Sequence, residues 1–144
     1  MKFIHIDPAS GENVLYTHLR VAAFLERHLD QFGDRQEDIL ECLAYVVDPR
    51  RGGFVVLAVE DEEPVGAVVV NRTGMKGYIP ENILVYIAVH REHRGKGLGK
   101  ALMQLAMDRA VGAIALHVEA DNPARRLYEA LGFTNKYLEM RLHR

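Results

Sequence analysis

The sequence predicts an α/β fold within one domain spanning residues 1–144, and three observations predict it. Ile83 to Val89 is an unbroken apolar and aromatic run, read as a strand covered on both faces. It enters a glycine-rich basic turn, and from Leu98 the spacing becomes helical through Ala101, Leu102, Leu105 and Ala106. Two further β-rich runs, Phe54 to Glu60 and Val65 to Asn71, are joined by Asp61-Glu62-Glu63-Pro64 and read as a hairpin.

In chain order, Lys2 to Ile6 is a short opening strand. From Val14 to Phe32 the stripe Leu15, Leu19, Ala22, Leu25, Leu29 and Phe32 marks an amphipathic helix, with Gly33 expected as its left-handed cap. Asp34 followed by Glu37 resembles a capping box, opening a second helix with Ile39, Leu40, Leu43 and Val47 inward. The two helices display Asp30, Asp34, Glu37, Asp38 and Glu41, either a solvated face or a patch that attracts a cationic partner. Arg72 to Pro80 is a loop whose Tyr78 either packs or touches a ligand. Beyond the central unit come a strand from Ala113 to Val118, a helix opened by Asn122-Pro123-Ala124 and stopped by Gly132, and alternation over Tyr137 to Leu142 that reads as a last strand. Two copies pairing through that strand, a homodimer, fit the pattern.

Composition narrows the function. A formal net charge of −2 gives no general nucleic-acid surface. No run approaches membrane-spanning length and the opening residues lack a secretion-signal core, so a cytoplasmic protein is expected. Cys42 is the only cysteine and reads as a small buried thiol. No histidine pair has metal-site spacing, so no metal is expected.

The informative stretch is His90 to Lys100. A glycine-rich turn feeding a helix leaves main-chain N–H groups unpaired at a positive dipole end, an anion site in physical terms. Arg91, Arg94, Lys96 and Lys100 add charge. A nucleoside-triphosphate loop would need Ser or Thr after Gly99-Lys100, where Ala101 stands. A dinucleotide fingerprint would need G-x-G-x-x-G after a first strand, whereas here the glycines run G-x-G-x-G after several strands. Arg94-Gly95-Lys96-Gly97-Leu98-Gly99 does match R-x-x-G-x-G throughout.

That hexamer resembles the acyl-CoA pyrophosphate loop of the GNAT superfamily of N-acetyltransferases. Asn122, Leu127-Tyr128 and Gly132-Phe133 resemble the superfamily's second signature, with the Asn-to-Tyr spacing one residue shorter than the common form. The resemblance implies a mixed twisted sheet of six to seven strands with about four helices, its central strands splayed to hold acetyl-CoA. The segment after Phe133 is shorter than is usual, which would leave a vestigial sixth strand. The cofactor's pyrophosphate would lie on Arg94, Gly95, Lys96, Gly97, Leu98, Gly99 and Lys100, and its pantetheine arm would pair with the backbone of Ile87, Ala88 and Val89.

The implied activity is direct acetyl transfer to a primary amine of a small molecule or peptide. Tyr128 falls where the family places the acid that protonates the departing thiolate; a core aromatic is the other reading. Asn122 either contacts the CoA arm or caps its helix. Many members carry a carboxylate on the central strand at the positions of Val85 and Tyr86; here Glu81, at the strand's far end, and His117, aligned with a base used by ribosomal-protein acetylases, are the alternatives. An imidazole suits proton removal, and a structural histidine is the competing reading of His117. The missing carboxylate also leaves open a non-catalytic acyl-CoA sensor or interaction domain.

Overall fold

The computed structural model describes residues 1–144. Strand β1 (Lys2–Ile6) is followed by α1 (His18–His28), a single 3-10 turn (Asp30–Phe32) and α2 (Gln36–Val47). Then come β2 (Gly53–Glu60), β3 (Glu63–Arg72) and β4 (Asn82–Val89), a second 3-10 turn (Arg91–His93), α3 (Leu98–Arg109), β5 (Ile114–Leu116) and α4 (Arg125–Ala130). The five strands lie in sequential order, antiparallel except for the parallel pair β4 and β5.

The apolar runs of β2 and β3 are buried along almost their whole length because helices cover both faces. On one face α1 and α2 build a cluster of 16 buried residues around Leu25, Ile39, Leu43 and Leu57. On the other, α3 and α4 build a cluster of 12 around Leu102, Met103 and Val68. The β2–β3 hairpin turns on Asp61 and Glu62, both left-handed at φ 52° and 63°, the geometry of a two-residue primed turn.

Several boundaries differ from expectation. Asn13 Oδ1 accepts the amides of Leu15 and Tyr16, so a local turn holds this segment and α1 starts only after Thr17, whose hydroxyl accepts the Arg20 amide. The helix stops at His28, and the left-handed residue is Asp30 (φ 55°). Gly33 is extended, at φ −97°; a Cβ there would lie 2.8 Å from Leu29 Cβ, so the glycine serves close packing. Asp34 caps nothing, since Arg35 is the residue before α2 and bonds no helix amide by its side chain.

The sheet has five strands, fewer than the six to seven expected. Only Ile114 to Leu116 of the segment Ala113 to Val118 is strand, and Tyr137 to Leu142 forms none. A strand needs a neighbour to take its hydrogen bonds, and β5 pairs with β4 alone. Leu138, Met140 and Leu142 are therefore exposed, and the edge imagined for pairing two copies is absent. No helix is long and apolar enough to cross a membrane.

Candidate active site

Strand β4 opens a gap in the sheet. Its pairing with β5 covers Asn82, Ile83 and Leu84, then ceases. The register against β3 jumps at the same place, Val69 facing Tyr86 and Val70 facing Leu84, so Val85 is the extra residue of a β-bulge. The bulge bends β4 from its parallel neighbour and resets the alternation: Tyr86 and Ala88 join the α1/α2 cluster, while Leu84 belongs to the α3/α4 side. The His90 amide donates to Val65 O across β3. By alternation, Ile87 and Val89 turn their main-chain groups to the opposite edge, into the gap.

The gap leads to the glycine turn. Gly95 and Gly97 are left-handed, at φ 76° and 86°, and nothing lies within 4 Å of a Cβ at either position. Gly99, already in α3, is close to Leu127 and Val89. From Arg94 to Lys100 no amide donates to a protein acceptor, and apart from buried Leu98 the segment is exposed or half-exposed. Successive free amides at a helix start, two of them aimed by left-handed glycines, form an anion-binding nest. Lys96 and Lys100 stand exposed beside it.

The other two cations point elsewhere. Arg94 donates from Nε to Val89 O at 3.0 Å, from Nη1 to Asp30 at 3.1 Å and from Nη2 to His28 O at 2.8 Å. Its guanidinium is thus a strut between the turn and the end of α1, which corrects the expectation that it faces a ligand. It also occupies one of the main-chain acceptors expected at Ile87, Ala88 and Val89. Arg91 pairs with Asp30 at 2.8 Å, and the two guanidinium bonds hold the Asp30 carboxyl below its ordinary pKa. His90 stacks on His28 with centroids 4.3 Å apart, and His93 Nε2 meets Glu60 at 3.2 Å.

Tyr128 sits on α4 at 7% exposure within the α3/α4 cluster, its ring 6.1 Å from that of Phe133. Its hydroxyl bonds no protein group, and burial pushes its pKa up to about 12. Asn122 Oδ1 accepts the Ala124 amide at 2.9 Å, closing a turn just before α4; the helix begins at Arg125 rather than at Pro123, and no side chain caps it. His117 is exposed, one residue past the end of β5, so it lies beside the strand rather than on it. Glu81 folds onto the α3–β5 turn, its Oε1 3.4 Å from the Ala113 amide, at the opposite end of β4 from the glycines. Tyr78 is 81% exposed. Cys42 donates to Asn71 Oδ1 at 3.3 Å, and burial pushes its thiol up to about 12, the state of an inert thiol.

Sequence reasoning missed one contact. The Tyr86 hydroxyl donates to Asp34 Oδ2 at 2.6 Å, bringing a carboxylate of the α1–α2 turn to the strand position that lacks its own. Burial and this bond together raise the Tyr86 pKa far above that of an ordinary tyrosine. The partners are 52 residues apart, and no local pattern signals such a pair.

The profile of the acetyltransferase (GNAT) family matches residues 14–133. N-alpha-acetyltransferase 30 of Schizosaccharomyces pombe is 31% identical over 85 residues, a match covering 56% of this chain and 57% of that protein. Mycothiol acetyltransferase of Corynebacterium urealyticum is 42% identical over 93 residues, covering 59% of this chain and 24% of that protein. The chain thus spans about half of the first relative's length and a quarter of the second's. Among solved structures, an aminoglycoside N-acetyltransferase in complex with CoA superposes with a TM-score of 0.66 at 14% identity, covering 99% of this chain and 93% of that one, a likeness of fold.

Proposed function

The chain belongs to the GNAT family of acetyltransferases, and on that premise we propose that residues 1–144 act as one domain carrying the acetyl group of acetyl-CoA directly to a primary amine of a small molecule or peptide. One observation carries the reading: an uninterrupted run of unengaged amides, Arg94 to Lys100, adjoins a β4 edge that has lost its partner. A diphosphate satisfies such amides, Lys96 and Lys100 offset its charge, and an extended acyl arm fits against the edge at Ile87 and the Val89 amide, the Val89 carbonyl being held by Arg94. The CoA in the solved relative supports acetyl-CoA as the co-substrate. A cytoplasmic setting suits the lone unpaired thiol.

In this reading the thioester carbonyl lies in the gap, where a β4 amide donates to the developing oxyanion. A neutral amine attacks the carbonyl carbon; the N–C bond forms, the C–S bond breaks, and the sulfur takes a proton from the hydroxyl of Tyr128, which solvent reprotonates once CoA has left. The raised pKa of Tyr128 keeps the hydroxyl protonated at neutral pH, ready to donate, while full transfer to a thiolate of pKa about 8.5 runs uphill until product leaves. No acyl-enzyme is formed, because Cys42 is bound to Asn71 and stays protonated. His117 takes the amine proton.

The test is free-thiol release from acetyl-CoA with a panel of amines: a polyamine, an aminoglycoside and a peptide with a free N-terminus. Amine-dependent release is expected. Tyr128→Phe should lower kcat about 100-fold, the scale of a lost general acid, with CoA affinity unchanged; equal loss of both would return the tyrosine to a packing role. The absence of any carboxylate in the β4 sequence from Ile83 to Val89 favours a second reading, an acyl-CoA sensor. Tight CoA binding with no thiol release across the panel would select it.

A further inference from the structure

Resting on the transferase reading above, we propose that Asp34 selects the acceptor by holding a second, non-reacting cationic nitrogen, so that diamines and polyamines are the preferred substrate class. The α3/α4 side of the gap carries the anion nest and Tyr128, so an acceptor reaches the thioester from the α1/α2 side. Tyr86 is the first residue of β4 after the bulge, on that side, and 6% exposed. Its hydroxyl fixes Asp34 Oδ2, so an exposed carboxylate with Oδ1 unbonded stands one tyrosine side chain away from β4 on the α1/α2 side.

The neighbouring acids are occupied. Between residues 30 and 38 the chain has four carboxylates. Asp30 is held by Arg91 and Arg94, while Glu37 and Asp38 lie 4.0 and 3.5 Å from Arg35. Asp34 alone has no cationic partner, and its one bond is to a neutral phenol.

The reacting nitrogen is a poor choice of ligand for it. A carboxylate beside an ammonium favours the charged form, and an ammonium has no lone pair with which to attack. A bound cation at Asp34 therefore assists transfer only if a different nitrogen of the same molecule does the chemistry. This gives Asp34 a role in specificity and makes Tyr86 its positioning residue.

The experiment compares matched acceptors with the full chain and acetyl-CoA: 1,4-diaminobutane against 1-aminobutane, and spermidine against its monoamine counterpart. The wild type should favour the dication in kcat/KM by about tenfold, the scale of one charged hydrogen bond in a partly exposed site. Asp34→Asn should remove the preference, raising KM for the diamine about tenfold more than KM for the monoamine. Tyr86→Phe should weaken it partially, and decides the matter if Asp34→Asn fails to fold. Turnover without preference in either pair, or a preference that survives both substitutions, overturns the proposal alone. Absence of thiol release with every amine, CoA still binding, overturns the transferase reading as well.

Discussion

The two sides of the gap present their groups differently. Towards α3 and α4 the ligand-facing groups are main-chain amides from Arg94 to Lys100, organised by two left-handed glycines. Towards α1 and α2 the polar groups are side chains joined across distant turns: Asp34 bonded by Tyr86, and Asp30 already paired with Arg91 and Arg94. A main-chain site suits a feature common to all its ligands, here a diphosphate, because it needs only the right backbone angles. A side-chain site can change with one substitution, which suits the variable partner of the reaction. Under the proposed function, the difference means that the constant and the variable substrate are met by chemically different surfaces of one sheet.

The contrast breaks most sharply at Gly97. Gly97→Val forces a β-branched residue to φ 86° at a place where a Cβ has no protein neighbour. The fold should survive while the turn relaxes and its amides lose their aim. Two charged hydrogen bonds, worth about 1.5–3 kcal/mol each, predict CoA binding weakened about 100-fold or more by calorimetry, with circular dichroism unchanged. Retained affinity would mean that the amides are not the site.

The junction between the two sides carries the next effect. His28 is 5% exposed, its Nδ1 has no partner, and its pKa is lowered to about 4 by burial, with His90, Arg27, Arg91 and Arg94 adding positive charge. The folded state binds that proton less readily than the unfolded chain, so the stabilisation is complete above about pH 6.5 and is lost as pH falls towards 4. The shift corresponds to about 3 kcal/mol at the acid end. His28→Phe should flatten the decline of Tm between those pH values; an unchanged slope would remove His28 as its source.

The smallest effect sharpens the main-chain side. Asn122→Ala removes only the turn bond to the Ala124 amide, which should lower stability by about 1 kcal/mol, the scale of one neutral hydrogen bond, and leave CoA affinity unaltered. A tenfold loss of affinity would instead assign Asn122 to the cofactor.

The same contrast decides what could be read in advance. Strands β1 to β4, the hairpin and the glycine turn are local patterns of alternation, turn chemistry and spacing, and the structure has them where the residues predict. The Tyr86–Asp34 bond and the Arg94 strut join segments 52 and 64 residues apart, and a single sequence holds no trace of such pairings. Gly33 misled because glycine after a helical stripe usually supplies a left-handed cap, whereas here the chain turned earlier, at Asp30. Tyr137 to Leu142 misled because alternation specifies a face but not a neighbour to bond with.

Arg94 clasps the last carbonyl of β4, the final turn of α1 and Asp30 with a single guanidinium. The glycine turn and the end of α1 are therefore braced against one another by one side chain. Asp34 lies outside this bracket, so on the proposed reading a change there alters the choice of acceptor while the brace stays in place.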